Sequence, residues 1–219
     1  MVINTNTSAQ TTANLLGMSS SKLSQSLARL SSGSKVVSPA DDSAGLAVSM
    51  RLTAQMSRNT AAQNNIANAV SFNQTQDGYL SQVNNALGRM SELSVQAQDV
   101  TKSDADRALY QQEFNTLANY VNNVATKDFN GVSLFAGDSL AVTTDSDANT
   151  FSSTGVDLTA TTYSQLASDS IGTTAGAVTA LSHVKSAITQ LASDRANIGS
   201  NIEALNNYSN QLSTLNNNL

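Results

Sequence analysis

Side chains suited to chemistry are thinly spread in this sequence. His183 is the single histidine and cysteine is absent, which removes thiolate nucleophiles, disulfides and thiolate metal sites. With no clustered carboxylates near it in the sequence, His183 is a poor metal ligand or catalytic base and reads as a surface or helix-start histidine. Asp41 and Asp42 form an adjacent carboxylate pair. Asp41 stands three residues after Ser38 and two after the only proline, Pro39, and helix capping explains both carboxylates better than acid–base chemistry. No H-E-x-x-H segment is present for a zinc peptidase. Nothing here supplies a catalytic constellation, and neither an enzyme nor a cofactor is expected.

Composition narrows the remaining classes. Hydrophobic residues make up 40% of the 219 positions, but aromatics only 5% and charged residues 12%. A compact globular core draws much of its buried area from large aromatic rings. This chain is suited instead to helices packed through Leu, Ile, Val and Ala, and its single proline permits long ones. A net charge of −5 with scattered Lys and Arg gives no long-range attraction to nucleic acid or to an anionic membrane. No apolar run approaches bilayer-spanning length, so membrane insertion is not expected. Met1 to Asn6 lack a basic region followed by an apolar stretch, so no cleaved signal is expected. A cytoplasmic location and export by an uncleaved route both stay open on these grounds.

The elements follow from spacing. Leu16, Leu23, Leu27 and Leu30 share one helical face that ends near Gly33, a well-placed C-terminal cap. A second helix is expected to start near Asp41. It has no proline as far as Gln98, and Leu80, Val83, Leu87 and Met90 repeat at three, four, three, a coiled-coil seam. Unbroken, it makes a rod of roughly 80 Å, with Gly78 as the expected kink. Ser103 to Asp106 reads as another helix start, followed by Phe114, Leu117, Val121 and Val124 at the same spacing. Asn130-Gly131 is a turn signal, and Val132, Leu134 and Phe135 suggest a short strand. Residues 137–176, rich in Thr, Ser, Asp, Ala and Gly, read as short, surface-exposed, loosely specified strands and turns, with disorder as the alternative. From Val184 a second seam alternates four and three through Ile188, Leu191, Arg195, Ile198, Ile202, Leu205, Ser209, Leu212, Asn216 and Leu219. Its polar members can set register at some cost in stability.

The expected fold is mainly α: a long antiparallel helical coiled coil or bundle formed by the N- and C-terminal segments, with a small β-hairpin and loop insertion. Residues 1–40 form a terminal-helix segment and 41–136 the N-terminal half of the helical core. A variable surface insertion spans 137–178, and 179–219 form the C-terminal half of the core. Stripes this extensive exceed what two helices bury on each other, so leftover apolar surface is expected to face other subunits.

Ser24 to Met50, reading SQSLARLSSGSKVVSPADDSAGLAVSM, resembles the N-terminal signature of bacterial flagellins, through Leu30-Ser31-Ser32-Gly33 and Asp41-Asp42-Ser43-Ala44-Gly45-Leu46-Ala47-Val48-Ser49. Leu87 to Gln96 is similar to the family's L-x-R-x-x-E-L-x-V-Q segment, Phe129-Asn130-Gly131-Val132 to its F-N-G, and Arg195-Ala196-Asn197-Ile198-Gly199 to its R-A-x-L-G. The resemblance covers about residues 1–136 and 180–219. It implies a structural subunit that leaves the cell unfolded and uncleaved through the flagellar type III export apparatus, with an export chaperone, and polymerises with itself beneath a filament cap. It places the chain in the extracellular flagellum, the motility organelle. It also implies that Met1 to about Pro39 lines the inner tube and is disordered in the monomer. Family members continue past the point matching Leu219 through a further C-terminal helix, which implies a shortened sequence or a different assembly here.

The resemblance further implies a patch read by a vertebrate innate immune receptor. The matching positions are Arg89, Leu93 and Glu113, with Ser91 where the family carries a second arginine. Filament packing is the competing role for all three. Ser and Thr between 143 and 173 are candidate acceptors of O-linked sugars or plain solvated surface. Other classes are the hook–filament junction (hook-associated) protein, which shares the terminal architecture and would cap rather than propagate, and a secreted coiled-coil effector, which predicts membrane binding.

Overall fold

The computed structural model describes residues 6–219. The chain divides into two compact units, Met1–Gln55 and Met56–Leu219, each taken by itself below.

In the first unit, helix α1 (Thr7–Ser32) opens on Asn6, whose side-chain oxygen accepts the Ala9 N–H at 3.0 Å. It closes on Gly33, which has φ 65°. That left-handed conformation lets the chain leave the helix without a Cβ clash. The part of the monomer-disorder expectation that covers Met1 to Thr5 lies outside the described residues. Helix α2 (Ser43–Ala97) starts later than Asp41. The Asp42 carboxylate accepts the Gly45 N–H at 2.8 Å and so caps it, while Asp41 organises the preceding loop.

In the second unit α2 continues to Ala97 and stays helical through Gly78, where a kink was expected. An interior glycine costs about 1 kcal/mol against alanine, which the packed face on both sides outweighs. The central buried positions are Asn59, Ala62, Ile66, Ala69, Asn73, Gln76, Leu80, Val83, Leu87, Met90, Ser94 and Ala97, alternating three and four. Helix α3 (Asp104–Ala125) begins with a reciprocal capping box between Ser103 and Asp106. Helix α5 (Thr174–Asn218) starts on Thr173, whose hydroxyl accepts the Gly176 N–H at 3.1 Å.

These three helices enclose one core. Leu80, Val83, Leu87, Met90 and Leu93 of α2 meet Phe114, Val121 and Val124 of α3 and Leu191 and Ile198 of α5, each at most 1% exposed. A second cluster joins Ala62, Ile66 and Ala69 to Leu205 and Leu212. The seam of α5 differs from its expected course. Its buried positions are Ala177, Ala180, Val184, Ala187, Leu191, Asp194, Ile198, Asn201, Leu205 and Leu212. Ile188 and Ile202 flank this line, partly buried against the core, as Leu117 does on α3, where Ala118 is the buried position. Small and polar side chains therefore hold central positions that an apolar template assigns to their larger neighbours.

After α3, strands β1 (Asp128–Phe129) and β2 (Val132–Ser133) pair antiparallel, Phe129 opposite Val132. Asn130 (φ 53°) and Gly131 (φ 80°) form their turn, and two successive positive φ values are what a primed two-residue hairpin turn needs. Strands β3 (Leu140–Thr143) and β4 (Thr150–Ser153) form a second antiparallel pair, Val142 opposite Phe151. The short helix α4 (Thr161–Ser164) and a single 3-10 turn, Gln165–Ala167, follow. The expectation of a purely surface segment fails here. Val156, Leu158, Tyr163, Leu166 and Ile171 are each at most 1% exposed and join the helical core.

Candidate recognition and assembly surfaces

One turn of α2 separates Arg89 from Leu93, and the structure places them differently. Arg89 lies at the edge of the helix facing α3. Its Nε donates to Glu113 Oε1 at 2.6 Å and its Nη2 to Glu113 Oε2 at 3.1 Å, a two-point fork, while Nη1 reaches Glu92 Oε2 at 3.0 Å. Glu113, and secondarily Glu92, raise the Arg89 pKa, and the guanidinium in turn lowers that of Glu113. The side chains of Arg89 and Glu113 are 42% and 43% exposed, so solvent screens the attraction and the fork mainly fixes geometry.

Leu93 is 0% exposed. An i, i+4 pair subtends about 40° on a helix, enough to carry the second residue off the rim and under α3. The structure thus unites Arg89 with Glu113 at the surface and places Leu93 beneath them in the core. Glu92, overlooked in the sequence, completes the charged group in its stead; its i, i+3 spacing from Arg89 was the available signal.

The remaining candidates are occupied structurally. Asp41 accepts the backbone N–H groups of Val37 at 3.2 Å and Ser38 at 3.1 Å, the Gln25 amide and the Arg29 guanidinium. The Ser38 and Val37 bonds, with Gln25 and Arg29 behind them, lower its pKa. It ties the loop after α1 back onto that helix. His183 Nδ1 lies 2.8 Å from Asp169 Oδ1 and 3.0 Å from Oδ2, holding the connector that precedes α5. On the other side of that connector, Gln111 of α3 accepts the Ile171 N–H and donates to the Asp169 carbonyl at 3.3 Å. Among the described residues no group of three or more His, Asp or Glu side chains is placed to hold a metal ion. No described helix is long and apolar enough to cross a membrane.

Two surfaces stand out. In the first unit, no residue of α1 is buried, and Leu16, Leu23, Leu27 and Leu30 are 71%, 61%, 56% and 81% exposed. A continuous leucine stripe left in water is the mark of an interaction face. In the second unit a groove of about 530 Å³ runs between α2 and the two hairpins, lined by Asn65, Asn68, Phe72, Phe129, Val132 and Leu140 among others. It contains no titratable side chain, so it offers shape and amide groups rather than catalysis.

Known proteins agree with this geometry. The family described as the bacterial flagellin N-terminal helical region matches residues 3–139. The flagellar filament 30.7 kDa core protein of Treponema maltophilum is 37% identical over 138 residues, which are 63% of this chain and 48% of that protein. Phase 1 flagellin of Salmonella naestved is 40% identical over 138 residues, 63% of this chain and 27% of its own length. The chain therefore spans between about a quarter and a half of the curated relatives it matches. Among solved structures, Bacillus cereus flagellin aligns with a TM-score of 0.60 and 26% identity over 68% of this chain and 88% of that one. A chain from Vibrio parahaemolyticus assigned as a flagellar hook-associated protein aligns with a TM-score of 0.66 over 83% of this chain and 100% of its own. At 16% identity, that likeness speaks to the fold alone.

Proposed function

Since the chain belongs to the bacterial flagellin family, we propose that it is a structural subunit that polymerises with copies of itself into the flagellar filament. The observation that carries this reading is α1: a 26-residue helix with no buried residue and four leucines more than half exposed along one face. Leaving such a stripe in water costs roughly 25 cal/mol for each Å² of apolar surface. Covering it on assembly returns that free energy, and a helical array of identical copies repeats the gain at each subunit.

In this role the long three–four seams of α2, α3 and α5 make a stiff strut, and the charged rim Arg89–Glu92–Glu113 lies on its outside. The subunit is exported through the flagellar type III apparatus, escorted by a chaperone, and added at the tip beneath a cap, so its place is extracellular. Helix α1 and the loop to about Pro39 become the inner layer, docked through the leucine stripe. Recognition by a vertebrate innate receptor falls on Arg89 and Glu113, which are solvent-accessible, with Leu93 shaping the helix edge from below. The role is mechanical rather than catalytic.

Seeded growth tests the proposal. Purified chain is added to short fragments of flagellar filament, and elongation is followed by sedimentation and negative-stain electron microscopy. Filament lengthening in proportion to added protein is expected. Protein that stays in the supernatant, or that blocks growth of the seeds, refutes the filament role.

A further inference from the structure

The buried positions of α2 and of α5 both repeat every seven residues, alternating three and four. A strict heptad is degenerate: sliding one helix by seven residues, about 10.5 Å, puts apolar side chains back onto apolar sites. Something other than the aliphatic seam must choose the register. We propose that Asp194, Arg195 and Asn201 of α5 make this choice through their polar partners.

Each has a partner that does not repeat. Asp194, 7% exposed, accepts the Tyr163 hydroxyl at 2.6 Å and the Gln190 amide at 2.9 Å. Asn201, 5% exposed, grips one peptide group on each side: its oxygen accepts the Thr154 N–H at 3.4 Å and its amide donates to the Thr154 carbonyl at 3.1 Å. Arg195 forks onto Asp77 of α2 at 2.7 and 3.1 Å. At the far end Asn59 of α2 donates to Asn216 of α5 at 2.8 Å.

Both slides break the contacts to Tyr163, Thr154, Asp77 and Asn59, while the Gln190 bond, within α5, travels with Asp194. Seven residues either side of Arg195 stand Ile188 and Ile202, so either slide faces Asp77 with an isoleucine. One slide sets Ala187 against Tyr163 and moves Asp194 to Thr154, where a carboxylate can accept the N–H but cannot satisfy the carbonyl. The other sets Tyr208 against Thr154. Buried polar groups stripped of partners make the wrong register costly, while the right one gains little over an aliphatic seam. The connector 168–173 is pinned at Asp169 by His183 and at Ile171 by Gln111, a second hold on register that the triple variant leaves intact.

Because the chain has no cysteine, register can be read by disulfide closure. Asn59→Cys with Asn216→Cys reports the observed register, and Asn59→Cys with Ser209→Cys reports a one-heptad slide. Each pair is placed in the parent chain and in the triple variant Asp194→Leu, Arg195→Ile, Asn201→Leu. In the parent the first pair should close and the second stay reduced. In the triple variant the second pair should also close, and the thermal midpoint should fall, because the Tyr163 hydroxyl, the Thr154 peptide groups and Asp77 lose their partners in either register. Closure of the first pair alone in both backgrounds overturns the proposal, because packing or the loops would then hold the register. Loss of helical circular dichroism in the triple variant also overturns it, since the polar side chains would then be needed for folding rather than for choice.

Discussion

Arg107 offers a test of how the turn between α2 and α3 is held. A helix ends with four carbonyls that have no partner within it, and α2 ends in the core. Arg107, 7% exposed, reaches back from the first turns of α3. Its Nε donates to the Ala97 carbonyl and its Nη2 to the Asp99 carbonyl, both at 2.9 Å, and its Nη1 to Asp104 at 2.9 Å. Arg107→Ala removes two bonds from a charged donor to backbone carbonyls, each worth about 1.5–3 kcal/mol. The Asp104 pair adds under about 1 kcal/mol, because that carboxylate is 92% exposed. Relief of the desolvated guanidinium offsets part of the sum, leaving a net loss of about 3 kcal/mol. For a chain of this length that lowers the thermal midpoint by about 6–12 °C. Arg107→Lys can meet only one carbonyl well, because it lacks the planar fork, and should recover about half. The measurement is thermal unfolding followed at 222 nm, with amide exchange of residues 95–102 as a local readout. A midpoint for Arg107→Ala within about 2 °C of the parent, with unchanged exchange, would refute the capping account.

Three further outcomes are expected. Leu205→Asp puts a carboxylate at a position 0% exposed between α2 and α5. It should cost about 4 kcal/mol or more and abolish cooperative unfolding of that end, whereas unchanged helicity and melting would sink the seam assignment. Tyr163→Phe leaves the buried Asp194 carboxylate with Gln190 as its remaining donor and should cost about 1–3 kcal/mol in urea titration; a neutral result would mean that water replaces the hydroxyl. Asp41 has its pKa lowered by the Ser38 and Val37 amides, so its contribution to holding the loop is fully present above the ordinary aspartate value of 3.8. That contribution declines as pH falls below 3.8 and is lost through the depressed folded-state value. The amide resonances of Val37 and Ser38 should move together in that acidic window, and movement at higher pH instead would contradict the assigned bonds.

Much of the helical frame was legible without coordinates because it rests on local rules. Gly33 ends α1 and Ser103 starts α3 since backbone conformation and cap chemistry depend on a few adjacent residues. The Asn130-Gly131 hairpin follows from the same kind of local preference. The α2 seam through Leu80, Val83, Leu87 and Met90 was visible because its members are all large and apolar. At Gly78 local propensity weakens the helix, yet it continues because buried positions lie on either side.

What lay beyond the sequence depends on which surfaces meet. The centre of the α5 seam passes through Ala187, Asp194 and Asn201 rather than Ile188, Arg195 and Ile202. An aspartate or asparagine reads as solvent-facing until its partners, Tyr163 and Thr154, arrive from segments that lie 31 and 47 residues away. Leu93 shares a helix face with Arg89, yet only the position of α3 decides that one is covered and the other left at the rim. Residues 154–171 resemble surface loop in composition, but Val156, Leu158, Tyr163, Leu166 and Ile171 close the core. The sequence by itself determined where helices stop and turn and that they carry apolar stripes, because these are one-dimensional properties of neighbouring residues. Tertiary structure alone decided which polar side chains were buried and which candidates reached the surface, because burial is a property of pairs of surfaces that no single segment contains.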